Sequence, residues 1–541
     1  MLAAHPLRRA WPLAAALALL LAALAALGLA MVRGTGGHLV YPLDDTYIQM
    51  AIAKTLAAHG TWGVTRFEFS GAGSSPLWPP LLAALDRLTG LGSRLPLVVN
   101  AIAATLVVAI AFAGLRRHVA NRSAQAVALA LLVGAAPLPA LALVGMEHAL
   151  QCAAALALAL SGASLCAASP AEARRLVPAV ALLGCLAVAV RYDTGSIVVA
   201  LLALVTLTRG WQRALPLAVG STLPVAAYAW VAGRHGWPAL PTPILLKQRL
   251  SGVDLRSWHG AADVLGGGAL TVLVNTPALL VLTIAAAALL AASPPGRSRS
   301  ARESECLLLI FLIATALHLE FGRVGWLYRY EAYLVVLGVV AIASALAHQL
   351  PASRPRLDAR RWTAAAALAA VMVFPLMLRS FNASRDVIAG ALDLYRHEYA
   401  WSRFFQRYPP DGGLIVGDVG AVSYFTDVPI VDAGGLATLE LLPSRFSAAA
   451  DIPRAVRLAR ARGIRVAIID GPSRGSVTGW PCIVAWSTVS DPTPNATIWL
   501  AAADAEAASH LARDVRTFMA EHAAGVSVLH FADARGSCRE P

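Results

Sequence analysis

Stretches of apolar residues long enough to cross a bilayer recur along this chain, and nothing else in the sequence limits its fold so strongly. A helical span needs about 20 residues. Runs of that order lie near 11–32, 96–115, 123–144, 149–168, 214–232, 269–292, 306–320, 332–350 and 362–378. The stretch 176–208 is also apolar but is interrupted by Arg191, Tyr192 and Asp193, so it reads as two shorter spans meeting at a polar turn, which brings the total to eleven. Only 14% of the 541 residues are charged, against about 25% in a soluble domain. Too few charges remain to clothe one soluble body, so lipid must cover much of it. The first run, from Trp11 to Val32, follows Arg8 and Arg9. It is longer than the apolar core of a secretory signal and reads as a retained signal anchor.

The formal net charge of +13 does not imply a nucleic-acid partner, because the basic residues fall in short clusters between apolar runs, as topology determinants do. With Arg8 and Arg9 inside, every second loop is cytoplasmic. Those loops contain Arg116, Arg117 and Arg122; Arg174 and Arg175; Arg209 and Arg213; Arg297, Arg299 and Arg302; and Arg354, Arg356, Arg360 and Arg361. Each is short and basic, as the positive-inside rule requires. An odd number of spans then leaves residues 379–541 outside, beyond a membrane domain over 1–378.

That C-terminal segment has a soluble composition. Leu414–Val416, Val428–Val431 and Val466–Ile469 read as short buried strands, and Ile452–Arg462 as a helix leading into the last. Strands alternating with helices predict a small external α/β domain. Cys152, Cys166, Cys185 and Cys306 lie in or beside spans and read as small apolar fillers. Cys482 and Cys538 fall outside, where an oxidising compartment permits a disulfide.

The unusual polar residues map to that same outer face. The first outer loop, about residues 33–95, contains Asp44-Asp45-Thr46-Tyr47-Ile48-Gln49, and later outer turns contain Gly145-Met146-Glu147-His148 and Arg191-Tyr192-Asp193. The fourth has Lys247 and Arg249 after Pro241-Thr242-Pro243, and the fifth has Arg323, Tyr328, Arg329, Tyr330 and Glu331. Ionisable groups at membrane depth are costly and mark function. Cations and carboxylates together at one lipid–water boundary suit a ligand that is part lipid and part phosphate. The cations would hold the phosphate, and a carboxylate could act as base on a hydroxyl. Bland readings exist for each member. Lys247 and Arg249 could snorkel, Arg191 could simply pair with Asp193, Glu147 could be an ordinary interfacial residue, and His148 reads as structural. Thr46 to His59 has helical apolar spacing and predicts a surface-lying amphipathic helix with Asp44 or Asp45 at its N-cap. A cap needs one carboxylate, which leaves the second for base or metal-ligand work.

These residues also resemble a known family. Asp44-Asp45-Thr46-Tyr47-Ile48, then Ala57-Ala58-His59-Gly60, then Ser74-Ser75-Pro76-Leu77-Trp78 resemble the first external loop of GT-C glycosyltransferases, nearest to the mycobacterial terminal β-(1→2) arabinofuranosyltransferase subgroup. Gly145-Met146-Glu147, Arg329-Tyr330 with Glu331, Asp418-Val419-Gly420 and Asp432-Ala433-Gly434-Gly435-Leu436 follow in the same order. Gly71-Ala72-Gly73 departs from the subgroup's usual Gly-Tyr-Thr, which bears on the acceptor rather than the chemistry.

The resemblance implies a GT-C membrane fold, a polyprenyl-phosphate sugar donor and transfer at the outer face of the cell membrane; with the residues above it predicts a single, inverting displacement onto an acceptor hydroxyl of a cell-envelope glycan, lipid or protein. Asp44 or Asp45 would be the catalytic base, with Lys247, Arg249, Arg329 and Arg191 on the donor phosphate. Tyr47, Trp78, Glu147, Tyr330 and Glu331 would contact sugar or acceptor. The acidic pair could hold a divalent metal (Mg2+ or Mn2+), though none is required. The rival classes are a lipid-linked-sugar flippase, which should show broken helices near the midplane, and a non-catalytic membrane protein with an external binding domain.

Overall fold

The computed structural model describes residues 6–247, 268–293, 298–349, 359–442, 452–470, 480–487, 498–522 and 528–531. Ten helices among them are long and apolar enough to cross a membrane: Ala10–Gly34, Gly92–His118, Arg122–Val144, His148–Ala167, Pro170–Val190, Tyr192–Arg209, Trp211–Arg234, Arg299–Phe321, Ala332–Gln349 and Ala366–Arg407. An eleventh is formed if Gly268–Val274 and Pro277–Ala291, bent by 104° at their junction, count as one broken span. Pro277 opens the second half, where its missing N–H costs no intrahelical bond. Each helix overlaps one expected span, including the two that meet at Arg191–Asp193.

Lipid-facing and helix-facing surfaces separate cleanly. Leu207 is 82% exposed, and Leu182, Leu223, Ile284 and Phe374 are exposed on other spans. A soluble protein does not expose apolar side chains on this scale. Inside the bundle, close approach is made by small residues. A Cβ on Gly184 would lie 2.5 Å from Leu217, so the Pro170–Val190 and Trp211–Arg234 helices meet only because that side chain is absent.

The loops gather at two ends. At one, Arg299 pairs with Glu172 at 2.8 Å, and His118 meets Ser300 at 2.9 Å and His348 at 3.3 Å. This is the end carrying the basic loops. At the other, Thr46 donates to the Val144 carbonyl at 2.7 Å, Ser75 donates to the Val190 carbonyl at 2.7 Å, and the Thr242 amide donates to the Gly71 carbonyl at 2.9 Å. The acidic and cationic motifs of the outer loops belong to this second end.

The C-terminal region carries a six-stranded mixed sheet. Its strands are β1 (Leu414–Val416), β2 (Ile430–Asp432), β3 (Val466–Asp470), β4 (Cys482–Ser487), β5 (Ile498–Ala502) and β6 (Val528–Phe531), in the order β2-β1-β3-β5-β4-β6. β1 pairs in parallel with β2 and β3, and the remaining pairings are antiparallel. The first three strands and the helix Ile452–Ala461 match the sequence expectation, and the antiparallel half adds to it. Cys482 is disulfide-bonded; its expected partner, Cys538, lies outside the described residues. The other four cysteines are free.

Two features blur the expected division at residue 379. The helix Ala359–Leu394 runs unbroken through that position, so the bundle and the C-terminal region meet inside a continuous helix. Alternation along β1 sends Leu414 and Val416 to one face and Ile415 to the other. Leu414 and Val416 join a core with Ile48, Ala51 and Ile52 of the first outer loop, whereas Ile415 packs with Ala455 and Ala459. The C-terminal sheet therefore shares a hydrophobic core with the loop that carries the acidic pair.

Candidate active site

The loop helix Asp44–His59 brings the acidic pair to the second end of the bundle. Leu43, in extended backbone, holds the cap position and offers no side-chain bond, so neither aspartate is the N-cap. Asp44 and Asp45 occupy the first turn instead, where the helix dipole favours negative charge. Successive helical residues project about 100° apart, and here that separates two destinations. Asp44 Oδ2 accepts from the Gly420 amide at 2.6 Å and Oδ1 from the Ala421 amide at 2.7 Å, both in the C-terminal sheet domain. Asp45 faces a cavity of about 340 Å³ at the membrane end of the loop.

That cavity is lined by Gln49 and Ser74 from the loop, by Arg191 and Asp193, and by Arg323, Arg329 and Tyr330. Apolar walls are supplied by Val199, Ile244, Leu317 and Phe321. Asp45 Oδ2 accepts from Arg329 Nη2 at 2.6 Å; the arginine side chain is 1% exposed and the aspartate 23%. Arg329 Nε and Nη1 are buried with no hydrogen-bond partner among the described residues. A buried guanidinium with two idle nitrogens is costly, and such a group is chemically suited to receive an anion. The Tyr330 ring lies under both Arg329 and Arg191, at 4.9 and 5.7 Å.

Arg191 is committed differently. Nη1 donates to Glu147 Oε1 at 2.7 Å, and Nε and Nη2 donate to Asp193 Oδ2 at 2.9 and 2.6 Å. Burial opposes its charge, but Asp193 and Glu147 outweigh burial and hold it above the ordinary guanidinium range. With carboxylates on all three nitrogens, it organises the wall more than it attracts an anion. Ser74 donates to Glu147 Oε1 at 3.3 Å and accepts from Gln49 Nε2 at 2.8 Å, extending a polar wall from the loop to the Arg191 turn.

The local sequence explains these placements. Gly145, at φ +77°, ends a short helix, and a Cβ there would lie 2.5 Å from Tyr41, so the Gly-Met-Glu turn needs its glycine. Gly71 admits the Trp237 ring, which a Cβ would meet at 2.6 Å. Arg329 follows a left-handed turn, with Trp326, Leu327 and Tyr328 at φ 46°, 60° and 58°. Such backbone costs about 1–2 kcal/mol per residue, and a buried brace maintains it. Arg379 pairs with Glu331 and donates to the carbonyls of Tyr328 at 2.6 Å and Ala135 at 3.0 Å, while Glu331 accepts from the Gly325 amide at 2.7 Å.

Several expected contacts are thereby corrected. Tyr47 does not line the cavity. It is buried between Tyr41, Tyr424 and Phe425, and its hydroxyl accepts from the Tyr41 amide at 3.1 Å. Trp78 is buried in the same core, where the Ser-Pro-Leu-Trp segment docks on the Arg191 turn through Ser75 and through the Leu77 amide to Ala189, at 2.9 Å. Glu331 braces Arg379 rather than facing a ligand. Glu147 stands behind Arg191, with Oε2 unpartnered among the described residues, and Tyr330 lines the cavity. Lys247 ends the short helix Thr242–Lys247, and Arg249 lies outside the described residues. The two aspartate carboxylates do not converge, since one holds amides and the other Arg329. The donor set does not fit a shared metal, and among the described residues no group of three or more acidic, His or Cys side chains does either. Sequence reasoning gives no site role to Gln49, Ser74 or Arg379, and names Arg323 only as one of the cations gathered on one face. Arg323 is exposed at the cavity and forms no ion pair among the described residues.

Comparison with known proteins bears on the fold. Residues 388–523 match a family described as Domain of unknown function (DUF8728). No curated protein matches the chain. Ten solved chains do. They include ArnT from Cupriavidus metallidurans bound to undecaprenyl phosphate, at 14% identity and TM-score 0.52, covering 91% of this chain and 98% of that one. The apo state of ArnT matches at 15% identity and TM-score 0.48, over 87% and 95%. An Archaeoglobus fulgidus oligosaccharyltransferase, in complex with Zn and sulfate, matches at 13% and 0.49, over 86% and 72%. The chain is thus a multi-pass membrane protein with a GT-C-like fold and a small C-terminal sheet region.

Proposed function

We propose that this protein is a membrane glycosyltransferase that moves a sugar from a polyprenyl phosphate to an acceptor hydroxyl at the outer face of the cell membrane. The observation that carries the reading is the pairing of Asp45 with buried, half-unsatisfied Arg329 in one cavity. The fold neighbour ArnT, bound to undecaprenyl phosphate, supports the donor class.

Asp45 takes the proton from the acceptor hydroxyl while that oxygen attacks the anomeric carbon. The bond from the anomeric carbon to the phosphate oxygen breaks, and the polyprenyl phosphate leaves with the electron pair. A single displacement inverts the anomeric centre. Arg329, through Nε and Nη1, and Arg323 meet the charge that develops on the departing phosphate. Gln49, Ser74 and Tyr330 offer hydroxyl partners and a ring face to the sugar. The apolar wall of Val199, Leu317 and Phe321 receives the first prenyl units. Basic loops at the opposite end support a cytoplasmic N-terminus and a periplasmic or extracellular sheet domain. The arabinofuranosyltransferase likeness of the loop motifs points to a pentosyl or hexosyl donor and a cell-envelope glycan, lipid or protein as acceptor.

The test is purified protein in detergent with a panel of polyprenyl-phosphate sugars and envelope acceptors, followed for acceptor-dependent release of polyprenyl phosphate. Release with at least one sugar is expected. Lipid-sugar translocation in proteoliposomes without release would replace this reading with the flippase, the alternative that the 104° broken helix pair favours.

A further inference from the structure

No residue from the external domain lines the cavity among the described residues. Yet that domain is fastened to the helix that carries Asp45, and at both ends of one short element. The external helix Gly420–Phe425 lies along the loop helix. Its first amides, Gly420 and Ala421, donate to the two oxygens of Asp44 at 2.6 and 2.7 Å. At its other end, Lys54 Nζ donates to the carbonyls of Ser423, Tyr424 and Thr426 at 3.1, 2.8 and 3.0 Å, and pairs with Asp427 at 3.2 Å. These are the amides and carbonyls a helix cannot satisfy for itself. The signs also match the helix dipole, with a carboxylate at the amino end and an ammonium at the carboxyl end.

Between the two charges runs an apolar seam. Ile48, Ala51 and Ile52 share a core with Val419 and Val422, and Tyr47 meets Tyr424 and Phe425 at 5.9 and 5.7 Å. At the amino end, a Cβ on Gly420 would collide with the Asp44 carbonyl oxygen, so the approach admits only glycine. A domain tethered by the long helix Ala359–Leu394 needs none of this to stay attached. What the clamp fixes is the position of the loop helix along and about its own axis.

We infer that the external domain sets the register of Asp45 in the cavity, with Asp44 as its positioning residue. Asp44 and Asp45 are consecutive, so any slide or rotation of the clamp reaches Asp45 undamped. The inference rests on Asp45 being the base and adds that transfer needs the external domain docked, although that domain touches no reacting atom. Acceptor engagement by the external domain would then be felt at the base through this one helix pair.

Three variants test it in the full-length protein. Asp44→Ala breaks the clamp from the membrane side, Gly420→Ala from the external side, and Lys54→Met at the far end. Each is expected to lower kcat about 10- to 100-fold, the scale of a misplacement near 1 Å, with donor KM little changed. The Asp44→Ala/Gly420→Ala double variant should be no slower than the worse single, because both remove one interaction. Hydrogen exchange over residues 44–59 should quicken in Gly420→Ala, whose mutated atom lies outside that helix. Full activity in Gly420→Ala and Lys54→Met, with Asp44→Ala as inactive as Asp45→Asn, would overturn the proposal and put Asp44 on the substrate. Unchanged exchange in the loop helix would overturn it as well. Exchange reports the coupling without chemistry, whereas Asp45→Asn kinetics report the base, so the two claims can fail separately.

Discussion

Asp44 and Asp45 are alike to every rule that reads a sequence, because composition, spacing and helix position are shared. What divides them is a partner 376 residues away, the Gly420 amide, and a buried arginine 284 residues away. No local pattern encodes either contact. The same holds for Tyr47 and Trp78. Aromatic residues beside an acidic pair suggest a sugar platform, but their burial in a core that includes Tyr41 and Leu82 is decided by tertiary packing. Arg329 was legible as a cation gathered at the same end as the acidic pair. That two of its nitrogens lack partners among the described residues was not. Arg329→Lys is expected to lower transfer roughly 10²- to 10³-fold, as removal of a preorganised donor does, since an ammonium cannot keep Asp45 and reach the phosphate together. The measurement is kcat/KM for the donor, and an unchanged value would remove Arg329 from the phosphate site.

Spans were legible at the scale of elements because a 20-residue apolar run has few alternatives in water or lipid. Even the interruption at Arg191–Asp193 located a true break between helices. The parallel strands were legible as short Val/Ile/Leu runs. β5, Ile498–Ala502, ends in alanines that favour no strand, and β4 pairs with it through a register shift between Cys482 and Val484; both escape a period-2 search. The left-handed turn at Trp326–Tyr328 was invisible for a sharper reason, since no residue there prefers positive φ. It exists because Arg379 and Glu331 hold it. Arg379→Met is therefore expected to destabilise the protein by about 3–5 kcal/mol, the cost of leaving one partner of a buried pair alone. Adding Glu331→Gln should recover part of that loss in thermal unfolding. Equal stability of Arg379→Met and the parent would show that the turn supports itself.

The whole molecule places its polar chemistry at one end of a lipid-covered bundle and a sheet domain over that end. Charge parity in the loops predicts which end is outside. In a cysteine-free background, Asp411→Cys should react with a membrane-impermeant maleimide in intact cells, and Arg174→Cys only after permeabilisation; the reverse pattern would invert the topology. A GT-C-like fold does not by itself fix the chemistry, which rests on the site. The proposed base at that site is Asp45. The most direct measurement is the rate of acceptor-dependent polyprenyl-phosphate release by Asp45→Asn against the parent under saturating donor. A loss of about 10²- to 10⁴-fold is the expected result, and release at the parental rate would contradict it.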